Sequence, residues 1–166
     1  MLVAYEEPVG HEYVAVENSA VGRAAQELTE RVRADFELMV GSIYRSAIAR
    51  QGQNRARVQG LVELRQNWDS YGAPAPNKRA AANAIRVLTL SQSVNLDPTG
   101  ILASAEGGIG ICFVSGDHYA DIECSNEGEV LGVYYVGPQM PTLLETDATD
   151  ASILAALRRI RDHIRG

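Results

Sequence analysis

Cysteine is nearly absent, and Cys112 and Cys124 are the whole supply. Two thiols cannot build a disulfide scaffold or a four-ligand zinc site. No apolar run approaches the ~20 residues that a membrane-spanning helix needs. Low-complexity tracts are missing, and no linker is long enough to separate two domains. Positive charge is in deficit. The formal net charge is −6, which repels phosphate backbones and disfavours nucleic acid as a partner of the whole surface. Met1–Gly10 carries Glu6 and Glu7 with no basic leader, so the cytoplasm is the expected location. Walker, Rossmann, kinase and hydrolase-elbow motifs are also missing. Glu106-Gly107-Gly108-Ile109-Gly110 is glycine-rich but leads into a strand, whereas a phosphate loop must deliver its amides to a helix N-terminus.

What remains is ordinary globular composition. Hydrophobic residues make up 46% and charged residues 22% of 166, enough for a single domain with a real core. The expected layout is an N-terminal arm and long helix over 1–55, then helix, tryptophan box, helix, β-meander and C-terminal helix over 56–166. Residues 1–17 read as extended, interrupted by Pro8 and Gly10. Asn18 or Ser19 can cap a helix. From there Val21, Ala25, Leu28, Val32, Phe36, Met39, Ile43 and Ala47 recur at helical steps and share one face. Gln51-Gly52-Gln53-Asn54 predicts a break, with a second helix carrying Val58, Leu61, Leu64 and Trp68. Asn77 caps a third helix over 78–93, with Ala81, Ala84, Ile85 and Leu88 inward. Lys78 and Arg79 sit badly at its positive end, and Asp69 is the expected acidic neighbour for them.

After Asp97-Pro98-Thr99-Gly100 the period changes from helical to alternating. Strands are expected at 101–104, 109–114, 119–124 and 130–136, with a fifth, edge strand at 142–145. Short turns between alternating segments mark an antiparallel meander. The fold class is therefore α+β, with helices packed on one sheet face. With Gly116-Asp117 as a two-residue turn, Cys112 lies opposite Asp121 and Ile109 opposite Cys124. Ile109, Ile111, Phe113, Ala120, Ile122 and Cys124 then form the inner face. Taking Glu127-Gly128 as a second two-residue turn adds Leu131, Val133 and Tyr135 inside. It leaves Tyr119, Asp121, Glu123 and Tyr134 outside. Thr149 or Asp150 caps the last helix, with Ile153, Leu157, Ile160 and Ile164 as its stripe.

Two constellations can carry function. Trp68, Asp69 and Tyr71 lie in a stiff Asn-Asp-Gly-Pro segment. Trp and Tyr supply rigid contact area, although packing is the ordinary use of a lone tryptophan. Asp121 and Glu123, two apart on one strand, leave the same face. With Glu106 and Asp69 they invite a metal-dependent hydrolase or nuclease reading, but no lysine lies on the same sheet. The ordinary reading is a wetted face. His11, His118 and His163 are not spaced as metal ligands, and Cys112 with His118 makes a poor thiol–imidazole pair across a turn.

Leu64-Arg65-Gln66-Asn67-Trp68-Asp69-Ser70-Tyr71-Gly72-Ala73-Pro74, a following helix, and Ser104-Ala105-Glu106-Gly107-Gly108-Ile109 together resemble a group of small bacterial proteins. Their shared pattern is an Asn-Trp-Asp-Gly-Tyr-Gly-Ala-like box, a helix and a hairpin with a Gly-Gly turn. The resemblance spans roughly 61–136. It departs at Ser70, where glycine is usual, and at Asn77-Lys78, where Ser-Pro is common. It implies shared ancestry and no particular activity.

The functional expectation is a non-enzymatic protein-binding or regulatory module. An antitoxin, an immunity-like partner or an accessory subunit of a bacterial or phage defence system fits that description. Candidate partner-binding residues are Trp68, Asp69, Tyr71, Tyr119, Asp121, Glu123 and Tyr134. No cofactor, metal or membrane contact is expected, and a protein partner or a second copy is. A nucleic-acid module would have to use Lys78, Arg79, Arg86 and the arginines of the last helix.

Overall fold

The computed structural model describes residues 20–166; the arm expected over 1–17, its His11, and the cap at Asn18 or Ser19 lie outside them. The elements run α1 (Ala20–Val62), α2 (Lys78–Ser93), β1 (Gly100–Ala103), β2 (Gly108–Ser115), β3 (His118–Ser125), β4 (Val130–Val136), β5 (Thr142–Glu145) and α3 (Asp150–Arg165). The sheet is antiparallel throughout, in the order β1-β2-β3-β4-β5. The α+β meander is thus as the alternation predicts. Among the described residues, no helix is long and apolar enough to cross a membrane. By contacts the chain divides into two units, one up to Ser46 and one from Ala47 to Gly166.

The expected break at Gln51–Asn54 is not there. α1 is one helix of 43 residues. A lone Gly52 costs a helix only about 1 kcal/mol, no proline interrupts this stretch, and Val58 is anchored in the core. The helix stops at Val62 instead, with tightened three-residue bonds from Glu63 N to Gly60 O and Leu64 N to Leu61 O. Trp68 therefore lies beyond α1, not on its apolar face.

α2 begins as predicted. The Asn77 side chain accepts from the backbone N–H of Arg79 and Ala80, at 2.8 and 3.0 Å, which satisfies two of the helix's orphan donors. Its inward residues Ala80, Ala81 and Ala84 are small, so the helix lies close to the sheet, while Val87 and Leu88 fill the space further along. α3 is capped by Thr149 and buries Ile153, Ala156, Leu157 and Ile160. These stripes meet Ile109, Ile111, Phe113, Ala120, Ile122, Cys124 and Leu144 on one sheet face, joined by Val58. Each fully buried aliphatic side chain there stabilises the fold by about 1.5–3 kcal/mol.

The β2–β3 register is as predicted, with Cys112 opposite Asp121 and Ile109 opposite Cys124. The β4 faces are reversed. Cys124 pairs with Val130, Ile122 with Gly132, and Ala120 with Tyr134. Val130, Gly132 and Tyr134 therefore point inward, and Leu131, Val133 and Tyr135 outward. The turn between β3 and β4 has three residues, Asn126-Glu127-Gly128, closed by Gly128 N to Ser125 O at 3.1 Å and Ser125 N to Glu129 O at 2.9 Å. Gly128 has φ 97°, the left-handed residue that a three-residue hairpin loop requires. One residue more than expected turns every β4 side chain to the other face.

Gly108, at the start of β2, admits no side chain. Its φ is 140°, and an added Cβ would lie 2.6 Å from the carbonyl oxygen of Cys124. Gly108→Ala is expected to lose about 3 kcal/mol of stability. Urea unfolding would show this as a lower midpoint with an unchanged slope.

Candidate functional site

Residues 67–73 form a self-bonded loop. Asn67 N donates to Ala73 O at 2.9 Å, and Asn67 Oδ1 accepts from Gly72 N at 2.6 Å. Asp69 Oδ1 accepts from Tyr71 N at 2.9 Å and Ala73 N at 3.0 Å. These bonds, that from Tyr71 foremost, hold the Asp69 carboxyl below its ordinary pKa. Asp69 is therefore engaged in shaping the loop and does not pair with Lys78 or Arg79. Ser70 has φ 67°, a left-handed conformation that its side chain resists. Trp68 is not a core plug. It is 36% exposed and donates from Nε1 to Pro74 O at 3.3 Å. Tyr71 is 94% exposed.

Asn126 fastens this loop's far end to the sheet. Its Oδ1 accepts from Asn77 N at 2.7 Å and its Nδ2 donates to Ala75 O at 3.0 Å. In return Asn77 Nδ2 donates to Asn126 O at 2.9 Å. Two further α2 residues reach the same turn. Asn83 Nδ2 donates to Gly128 O at 3.0 Å, and the Arg79 guanidinium lies over Gly128. Arg79 thus serves the hairpin turn, not Asp69. Sequence reading passed over Asn126, because its partners are 49 and 51 positions away.

The outer sheet face carries the second constellation. Tyr119 donates to Asp121 Oδ2 at 3.0 Å and contacts Cys112 Sγ at 3.6 Å. Tyr135, brought outside by the longer turn, stacks on Tyr119 with ring centroids 4.8 Å apart. Val133 and Leu131 lie opposite Asp121 and Glu123 on β4. Around them Leu102, Val114, Leu131 and Leu143 are 41–56% exposed. The face is thus open to solvent, as expected, but apolar side chains surround the acids at its centre. Burial pushes the Asp121 carboxyl above its ordinary value, and the nearby Glu123 charge adds to this, while the Tyr119 hydroxyl opposes it. Burial, with Cys112 and Asp121 as neighbours, also raises the Tyr119 hydroxyl.

Tyr134 is absent from that face. It packs against the core, its ring 4.6 Å from that of His163 and 5.9 Å beneath the Arg159 guanidinium. His118 and His163, far apart in sequence, meet with ring centroids 4.9 Å apart. His163 Nε2 lies 3.0 Å from the Tyr135 carbonyl oxygen, a contact that requires the proton on that nitrogen. Cys112 meets Tyr119, not His118, and the two cysteines are free and on opposite faces.

The four carboxylates of the hydrolase reading are not assembled. Asp69 belongs to its loop and Glu106 accepts from the Ser104 hydroxyl. Among the described residues no group of three or more His, Cys, Asp or Glu is arranged to hold a metal. Several of the cations considered for nucleic acid are engaged within the fold. Arg86 binds Asp150 and the Ala148 carbonyl, Arg161 binds Asp162, and Arg165 reaches Asn95 O at 3.0 Å. No family model, curated protein or solved structure matches the chain.

Asn126→Ala removes an acceptor and a donor together, leaving Asn77 N–H and Ala75 C=O to water. A loss of about 1–2 kcal/mol is expected, with Asn126→Asp intermediate, read by thermal unfolding. Asp121 gives a pH signature. Its usual pKa is 3.8, and burial makes its charge more costly in the folded state. The resulting penalty is absent when both states are protonated. It grows as pH rises through the usual value toward the raised one and is complete above that. Asp121→Asn, whose carbonyl can still accept from Tyr119, is expected to be more stable than the wild type near neutral pH. That advantage should vanish toward pH ~3, seen by chemical denaturation across pH.

Proposed function

We propose that this chain is a non-enzymatic protein-binding module whose outer sheet face holds a segment bearing apolar and basic side chains. The observation that carries the reading is Asp121, half-buried and hydrogen-bonded to Tyr119, on a face where apolar side chains predominate. A carboxylate held there weakens the isolated fold, and a partner's lysine or arginine relieves that cost on docking. Leu102, Val114, Leu131 and Leu143 supply the surrounding apolar contact, and the stacked Tyr119 and Tyr135 supply rigid aromatic area. Glu123, in the row beside Asp121, gives a second anchor for positive charge. A face of this kind would serve in regulatory settings such as an antitoxin, an immunity-like partner or an accessory defence subunit.

The test is affinity capture from the native host with the full chain, comparing wild type with Asp121→Asn/Glu123→Gln. A protein retained by the wild type and depleted at least about tenfold by the double variant is expected, since a charge-assisted bond contributes about 1.5–3 kcal/mol. Identical captured sets from both forms would sink the reading.

A further inference from the structure

Among the described residues, the N-terminal part of α1 presents an exposed apolar stripe. Leu28, Val32, Phe36, Met39 and Ile43 are each 53–68% exposed. The stripe has a definite period. Ala25, Phe36, Ala47 and Val58 are eleven residues apart in succession, and so are the pairs Leu28–Met39 and Val32–Ile43. An eleven-residue repeat advances 3.67 residues per turn, close to the natural helix, so its apolar line stays on one side for many turns. Further along the same line the stripe is polar at Arg50 and Asn54 and then apolar again at Val58 and Leu61. Val58 is fully buried and Leu61 packs against the core. At its C-terminal end this line is packed in the core at Val58, and over Leu28–Ile43 its side chains are exposed among the described residues.

We propose that a second copy of this chain covers that stripe, the two α1 helices pairing through Leu28, Val32, Phe36, Met39 and Ile43 as a two-stranded coil. Three arguments favour a copy over an unlike partner. The stripe is a repeat, so it matches itself over its whole length, as a symmetric dimer contact requires. Its flanks are balanced. Residues 20–46 hold four arginines and four acids, so two copies do not repel, although the whole chain is acidic. The area also suffices. The five stripe side chains offer on the order of 500 Å² of apolar surface, and the stems of Arg31 and Arg33 with Val40 bring the contact near the roughly 800 Å² per partner of a standard interface. Helix stability points the same way, because a helical stretch draws most of its stability from a packed apolar face.

Light scattering on the full chain over a dilution series tests this. Wild type is expected at twice the chain mass of 17.9 kDa, falling to one chain at high dilution. Phe36→Glu/Met39→Glu should be monomeric throughout, while its urea unfolding still reports an intact second unit. Leu38→Glu, on the side away from the stripe, should remain a dimer. Asp121→Asn/Glu123→Gln should also remain a dimer, which separates this contact from the sheet face. A monomer at every concentration, any mass above two chains, or a dimer that survives Phe36→Glu/Met39→Glu overturns the proposal.

Discussion

The interlock between the start of α2 and the β3–β4 turn is the constraint on which the second unit depends. Asn77 caps the helix with its side-chain oxygen and grips the turn with its nitrogen. Asn126 answers with both ends of its own amide. Arg79 and Asn83 close over the same turn at Gly128. The turn has little freedom to take another length, and its length decides which β4 residues enter the core. Helix start, turn type and sheet register are therefore one joint decision.

That decision also makes the outer face what it is. Were the turn one residue shorter, Tyr135 would point inward and Tyr134 outward. The turn as built delivers Tyr135 onto Tyr119 and leaves Tyr134 among His163 and Arg159. Asp121 lies opposite Val133 as a consequence. An acid among aliphatic and aromatic groups is poorly hydrated, which explains why its proton is held more tightly than usual. The face's electrostatic character is thus set from a turn at the far end of two strands.

Local patterns were legible in the sequence where the cause was local. The α2 bounds, its Asn77 cap, the β2–β3 register and the apolar stripes of α2 and α3 follow from spacing and short-range hydrogen bonding. The misreadings share a different cause. Gln51–Asn54 looks like a helix break because it is polar and contains Gly52, but Val58 and its buried surroundings carry the helix through. Glu127-Gly128 looks like a two-residue turn until Asn126 is known to be held by α2. His118 and His163, 45 positions apart, could be joined only by the packing of α3 on the sheet. The pairing of Tyr119 with Asp121 was open to a reader, since residues two apart on a strand share a face. The apolar surroundings that give it meaning were hidden by the reversed β4.

The order of the sheet has a consequence for how the protein avoids unwanted polymers. Its two outermost strands, β1 and β5, are four residues each, against seven or eight for the three inside. An edge that short offers few free backbone donors and acceptors to a stray strand, so runaway β-stacking finds little to template on. The molecule can expose apolar side chains on a sheet face and on a helix because the borders of the sheet are blunt.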